Sequence, residues 1–128
     1  MHDLIINFTP TGMVPTKAMN PAVPISAMEI IEEVHQAYEE GITLVHLHAR
    51  DENGEPTYKR EIYESIVTGI RDHCRDLVIC LSLSGRNFNE FEKRSAPLEL
   101  MPDMGSLTLS SLNFSTQARV NAPDMIVR

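Results

Sequence analysis

Two histidines separated by one residue, His46-Leu47-His48, are the sharpest chemical signal in the sequence. They close a β-rich, mostly apolar run over Ile42–Leu47, and alternate residues of a strand share a face, so both imidazoles project to the same side. Two neutral imidazoles completed by a carboxylate make an open site for Zn²⁺ or a similar divalent ion, which can polarise a substrate oxygen. The alternative is a pair of half-buried, hydrogen-bonded histidines, and spacing alone leaves both open. Ser82, Ser84 and Ser106 lie at predicted strand ends and can donate hydrogen bonds to a ligand carboxylate, helped by backbone N–H groups near Gly85. As turn residues they can equally serve local capping. Arg50 and Asp51 either orient the histidines from behind or form a surface ion pair. His35 and His73 fall within helical patterns and read as partly exposed side chains, and the seven Met read as core filler.

The elements that must position these residues alternate along the chain. Leu4–Phe8 is a short apolar run stopped by Thr9-Pro10-Thr11-Gly12, which predicts a buried strand. A long loop carrying Pro15, Pro21 and Pro24 follows. Ser26-x-x-Glu29 is a capping box, and Ile30, Ile31, Val34, Ala37 and Tyr38 recur at helical spacing up to Gly41, predicting a helix over 27–40. After the strand ending in the histidines, Thr57 is placed to cap a second helix to about residue 74, with Gly69 as a weak point. Leu77–Leu81 predicts a third strand, 89–94 a short helix, and Ser106–Leu109 a fourth strand. Pro123 sits in the first turn of a last helix. Strand and helix in alternation argue for an α/β protein with a parallel sheet and right-handed crossovers. An open doubly wound sheet and part of an eight-stranded (β/α)₈ barrel compete. No G-x-G-x-x-G follows a strand, and polar residues gather at the C-terminal strand ends, where barrel enzymes place their chemistry, so the barrel is favoured.

Composition bounds the partners. With 128 residues, 42% apolar and 23% charged, the chain reads as a single domain over 1–128. Its formal charge of −7 and the lack of a Lys/Arg cluster argue against nucleic acid and point to small molecules. No apolar run approaches the roughly 20 residues of a membrane span, and no leader pattern opens the chain, so it reads as cytoplasmic. Cys74 and Cys80 lack metal-ligand spacing and do not suggest a disulfide framework.

Taken in order, Thr11-Gly12, Asn20-Pro21-x-x-Pro24, Val45-His46-Leu47-His48-x-Arg50-Asp51, Ser82-x-Ser84-Gly85, Arg94-x-Ala96-Pro97 and Leu112-Asn113-Phe114 resemble the β-keto acid cleavage enzyme family, from residue 3 to about 128. One known activity in that family is 3-keto-5-aminohexanoate cleavage. The resemblance implies a (β/α)₈ barrel with one divalent ion, usually zinc, held by His46, His48 and a glutamate from late in the barrel. It implies a β-keto acid chelating that ion, acetyl-CoA as second substrate, and acetoacetate and a new CoA thioester as products. Ser82 and Ser106 match positions that hold the substrate carboxylate. Members cleaving amine-bearing keto acids carry an acidic residue just after Thr-Gly, where this chain has Val14. Family members are about twice this length, in line with the barrel norm of about 250 residues. The resemblance therefore implies an N-terminal half-barrel that lacks the glutamate ligand and is inactive alone unless another chain completes the site. Alternatives are a metal-dependent aldolase or lyase barrel, an amidohydrolase-type hydrolase, whose H-x-H would lie on the first strand, and a non-catalytic half-barrel that self-associates into a homo-oligomer through open sheet edges.

Overall fold

Ser26 begins the first helix, α1 (Ala27–Glu39), with the full capping box its spacing predicts. The Ser26 hydroxyl accepts from the Glu29 N–H at 3.2 Å, and the Glu29 carboxylate accepts from the Ser26 N–H at 2.9 Å and the Ile25 N–H at 3.0 Å. The Lys17 ammonium, 2.7 Å away, and these backbone donors hold the Glu29 carboxyl down at about 2, well below its ordinary 4.5. A depressed carboxylate contributes stability that is present above the ordinary value and disappears as pH falls toward the folded one. We therefore expect Glu29→Ala to destabilise the protein by about 1 kcal/mol at neutral pH. Denaturant titrations of variant and parent should converge as the pH approaches about 2; a gap that stays constant across that window would contradict the assignment. Gly41, at φ +96°, then supplies the left-handed stop.

The second helix, α2 (Arg60–His73), starts later than the sequence suggests. Thr57 does not cap it: the N-cap is Lys59, and the Thr57 hydroxyl instead accepts from the Lys59 N–H at 3.2 Å in the turn before. Gly69, expected as a weak point of the helix, lies where α1 and α2 approach. A methyl group there would lie 2.5 Å from the Ile31 Cδ1. The missing side chain leaves room for Ile31 between the helices, against a propensity penalty of about 1 kcal/mol.

Residues 4–84, 86–113 and 118–128 are described in the computed structural model. Four strands, β1 (Asn7–Phe8), β2 (Leu44–Leu47), β3 (Val78–Leu81) and β4 (Met104–Gly105), pair in the order β1-β2-β3-β4, all parallel. The predicted first strand is shortened: Leu4 and Ile5 are exposed and only Ile6 adds to the ladder, its carbonyl accepting from the Thr43 and Leu44 N–H groups. The fourth strand lies just before the predicted 106–109 segment. At Gly105 a Cβ would sit 2.7 Å from the Leu98 Cδ2 and 3.2 Å from the Leu83 Cδ1, so the glycine leaves room for both leucine side chains. A short helix, α3 (Phe91–Ser95), runs into a 3₁₀ turn at Ala96–Leu100. The predicted last helix is present as α4 (Pro123–Val127), with its proline in the first turn. A small antiparallel pair, β5 (Leu112–Asn113) with β6 (Ala118–Arg119), was not foreseen from the sequence.

The two faces of the sheet have different jobs. Val45, Leu47, Ile79 and Leu81 are fully buried against Ile30, Val34, Ile66 and Ile70 of the helices, forming the core. Each such side chain contributes about 1.5–3 kcal/mol of transfer free energy. Between these apolar residues lie Leu44, His46, Val78 and Cys80, which the period of two turns to the opposite face. Both cysteines are free thiols, as expected.

Candidate functional site

His46 pairs in register with Cys80, and Leu47 with Leu81. One residue further, the Ser82 N–H donates to the Leu47 carbonyl and the Ser106 N–H to the Leu81 carbonyl, both at 3.0 Å. The ladder thus carries His48, Ser82 and Ser106 onto one row at the C-terminal ends of β2, β3 and β4, on the face that bears His46 and Cys80. His48 and Ser82 are buried and Ser106 half-buried. The sequence placed all four of His46, His48, Ser82 and Ser106 at strand ends, and the sheet brings them together.

The two imidazoles stand edge to face with centroids 4.9 Å apart. Neighbouring rings on one strand face at that separation suit two ligands of a single divalent ion. No group of three or more His, Cys, Asp and Glu that could hold a metal gathers among the described residues. The Nδ1 of His46 lies 3.2 Å from the Cys80 Sγ. Burial pushes the Cys80 thiol up, keeping the sulfur neutral. Cys80 escaped the sequence reading because it was assigned to the apolar strand; its position two residues before Ser82, on the same strand face, was the available signal.

The serines are not equivalent. Ser106 Oγ accepts from the Leu83 N–H at 3.1 Å, which fixes the hydroxyl beside the end of β3. Ser84 Oγ accepts from the Arg86 N–H at 3.4 Å, which is local turn chemistry. Gly85 lies outside the described residues, as does Phe114.

Arg50 does something other than orient the histidines or pair at the surface. Its guanidinium is buried and donates to the Gly54 carbonyl at 2.9 Å, the Gly12 carbonyl at 2.8 Å and the Pro15 carbonyl at 3.1 Å. It therefore clamps the loop after β1 to the loop after β2. Asp51 accepts from the Asn53 and Glu55 N–H groups and shapes its own turn. Thr11, also buried, donates to the Pro24 carbonyl at 3.0 Å and closes the β1–α1 loop. Val14, between the two carbonyls held by Arg50, is half-exposed. Arg94 is a second buried guanidinium, donating to the Leu83 carbonyl and, at 2.7 Å, to Asn121 Oδ1, which ties α3 to the segment before α4. His35 and His73 lie on the outer helices, their rings 4.6 Å apart, with His35 against the Gly69 carbonyl and His73 against Glu39.

Polar side chains in a row along the C-terminal ends of parallel strands, backed by an apolar layer under helices, define the working rim of an α/β barrel. The chain belongs to the β-keto acid cleavage enzyme family, which it matches over residues 3–128. The 3-oxoadipate:acetyl-CoA acetyltransferase of Cupriavidus necator is 38% identical over 122 residues, covering 95% of this chain and 43% of that protein. A 3-keto-5-aminohexanoate cleavage enzyme of Acetoanaerobium sticklandii is 36% identical over 128 residues, covering 99% of this chain and 47% of that protein. The chain thus spans about half the length of the curated relatives it matches. Among solved structures, a ternary complex of ObcA with a C4-CoA adduct and oxalate matches with a TM-score of 0.76 at 23% identity, covering 84% of this chain and 28% of that one, a likeness of fold. The four parallel strands are accordingly part of a (β/α)₈ barrel. No helix among the described residues is long and apolar enough to cross a membrane.

Proposed function

We propose that this chain forms the metal- and carboxylate-holding part of an enzyme that cleaves a β-keto acid with acetyl-CoA. The acyl group of the keto acid passes to CoA, and its carboxymethyl portion joins the acetyl group to give acetoacetate. The observation that carries this reading is the row of His48, Ser82 and Ser106 above His46 on one sheet face. His46 and His48 would hold a divalent ion, taken as zinc, which when bound supplies Lewis-acid polarisation of the keto oxygen. The Ser82 and Ser106 hydroxyls, with backbone N–H groups near Gly85, would orient the substrate carboxylate, a role for preorganised donors at the end of a rigid sheet. The remaining ligand, a glutamate, would come from outside the described residues.

Association of copies is part of the same reading. The outer edges of β1 and β4 are not paired among the described residues, and Leu4 and Ile5 beside β1 are each 75% exposed. Pairing of two copies would cover such edges and apolar side chains together. Buried free thiols fit a reducing, cytoplasmic setting.

The neutral Val14 in the clamped loop favours a β-keto acid with a neutral or apolar tail, since an ammonium facing it would lack a countercharge. The test is to complete this sequence with the remaining half of a full-length relative, or to use a full-length relative carrying the same Met13-Val14 turn, and to supply it with Zn²⁺, acetyl-CoA and either 3-ketohexanoate or 3-keto-5-aminohexanoate, following acetoacetate and acyl-CoA formation. We expect product from the unsubstituted acid and a kcat/KM about tenfold lower for the amine-bearing one, the loop being half open to water. Val14→Glu should narrow that ratio. Absence of acetoacetate with either acid would overturn the proposed activity, and preference for the amine-bearing acid would overturn the role of Val14.

A further inference from the structure

We propose that Cys80 is a positioning residue for His46: its sulfur accepts a hydrogen bond from the His46 Nδ1–H and so selects the tautomer whose Nε2 lone pair is available to a divalent ion. The inference rests on the metal reading above. It stands on three observations. The two residues are register partners on adjacent parallel strands, so their Cα atoms are fixed by the ladder. The Sγ is 3.2 Å from Nδ1, within hydrogen-bond reach of sulfur. Cys80 is only 6% exposed, so its sulfur is turned toward the strand beside it and away from solvent.

A ligating histidine normally donates its other ring N–H to a carboxylate, carbonyl or water, which fixes both tautomer and ring orientation. At His46 the register puts a thiol in that place. A sulfur acceptor is weaker than a carboxylate. It holds the ring without adding negative charge behind it, and so leaves the bound ion more electrophilic than a carboxylate partner would. The rung neighbour of His48 is Ser82. The two imidazoles are thereby distinguished, one backed by sulfur and the other beside a hydroxyl that the substrate is proposed to use.

The experiment compares the wild-type chain with Cys80→Ala and Cys80→Ser. Ring ¹⁵N spectra of the metal-free protein, assigned through His46→Gln, report the tautomer directly. We expect Nδ1–H in the wild type, a shift of His46 toward the Nε2–H form in Cys80→Ala, and retention of Nδ1–H in Cys80→Ser. Titration with Zn²⁺ should show affinity falling roughly tenfold in Cys80→Ala and returning most of the way in Cys80→Ser, the range for partners of metal-ligating histidines. An Nε2–H wild type, or a tautomer unchanged by Cys80→Ala, would overturn the proposal. So would a sulfur-to-metal charge-transfer band on loading with Co²⁺, since that would make Cys80 itself a ligand. Failure of the wild type to bind Zn²⁺ would instead overturn the metal reading, and the metal-free spectra separate the two results.

Discussion

Changing His46 and His48 together to alanine is expected to remove divalent-metal binding while leaving the fold intact. Both imidazoles lie on the sheet face away from the packed helices, whereas the residues that hold the core, Val45 and Leu47, alternate with them and are untouched. Two of the protein ligands disappear at once, so affinity for Zn²⁺ should fall by on the order of 100-fold or more, beyond the 10–100-fold typical of losing a mere supporting partner. Each single variant should show a smaller loss, because one imidazole still anchors the ion. Calorimetric titration and metal content of the purified protein measure this. The His46→Gln/His48→Gln pair preserves volume at the buried His48 and guards against a fold defect masquerading as lost affinity. Equal metal uptake by wild type and both double variants would remove the basis of the site.

Arg50→Ala should have the largest effect on stability. The buried guanidinium satisfies carbonyls of Gly12, Pro15 and Gly54 that otherwise lack these donors. Removing it takes three charge-assisted hydrogen bonds from acceptors on partly buried residues, with an expected loss of about 3 kcal/mol. In a domain of this size that lowers Tm by on the order of 10 °C. Burial pulls the Arg50 pKa below its ordinary value, but an arginine of this kind keeps its charge through the neutral range, so the loss should not depend on pH near neutrality. Arg50→Lys should recover little, since an ammonium cannot reproduce the fork that reaches both loops. Thermal denaturation of the three proteins decides this, and an Arg50→Ala variant within about 1 kcal/mol of wild type would show that the clamp is dispensable.

The placement of the two histidines on one strand face and the first helix were legible in the sequence because both depend on short-range periodicity. An H-x-H at the end of a strand fixes two side chains on one face whatever surrounds it, and Ser26-x-x-Glu29 closes its own hydrogen bonds. Ser82 was legible through the same strand-end logic, whereas Ser106, expected to open a strand over 106–109, instead follows the end of β4. What the sequence hid depends on partners far away along the chain. The Arg50 acceptors at Gly12 and Pro15 lie 38 and 35 positions upstream and are backbone atoms, which leave no trace in residue type. Cys80 meets His46 only because β2 and β3 pair in one particular register. Gly69 looked like a weak point, and the approach of Ile31 shows what the absent side chain makes room for. Thr57 followed the composition of a cap, but the turn after Pro56 delays the helix to Arg60.

The alternation along β2 carries a constraint on how this chain can change over time. Val45 and Leu47 face the helices while His46 and His48 face the opposite way, so the proposed site and the core are written on the same short strand in opposite phase. Inserting or deleting a single residue before His46 would exchange the two sets, driving both imidazoles into the apolar layer and presenting Val45 and Leu47 to the substrate side. Such a frameshift in side-chain direction cannot be repaired by one compensating substitution, because every position in the strand is reversed together. Lineages of this protein should therefore vary in length at the loops before and after β2, and keep the parity of the strand itself.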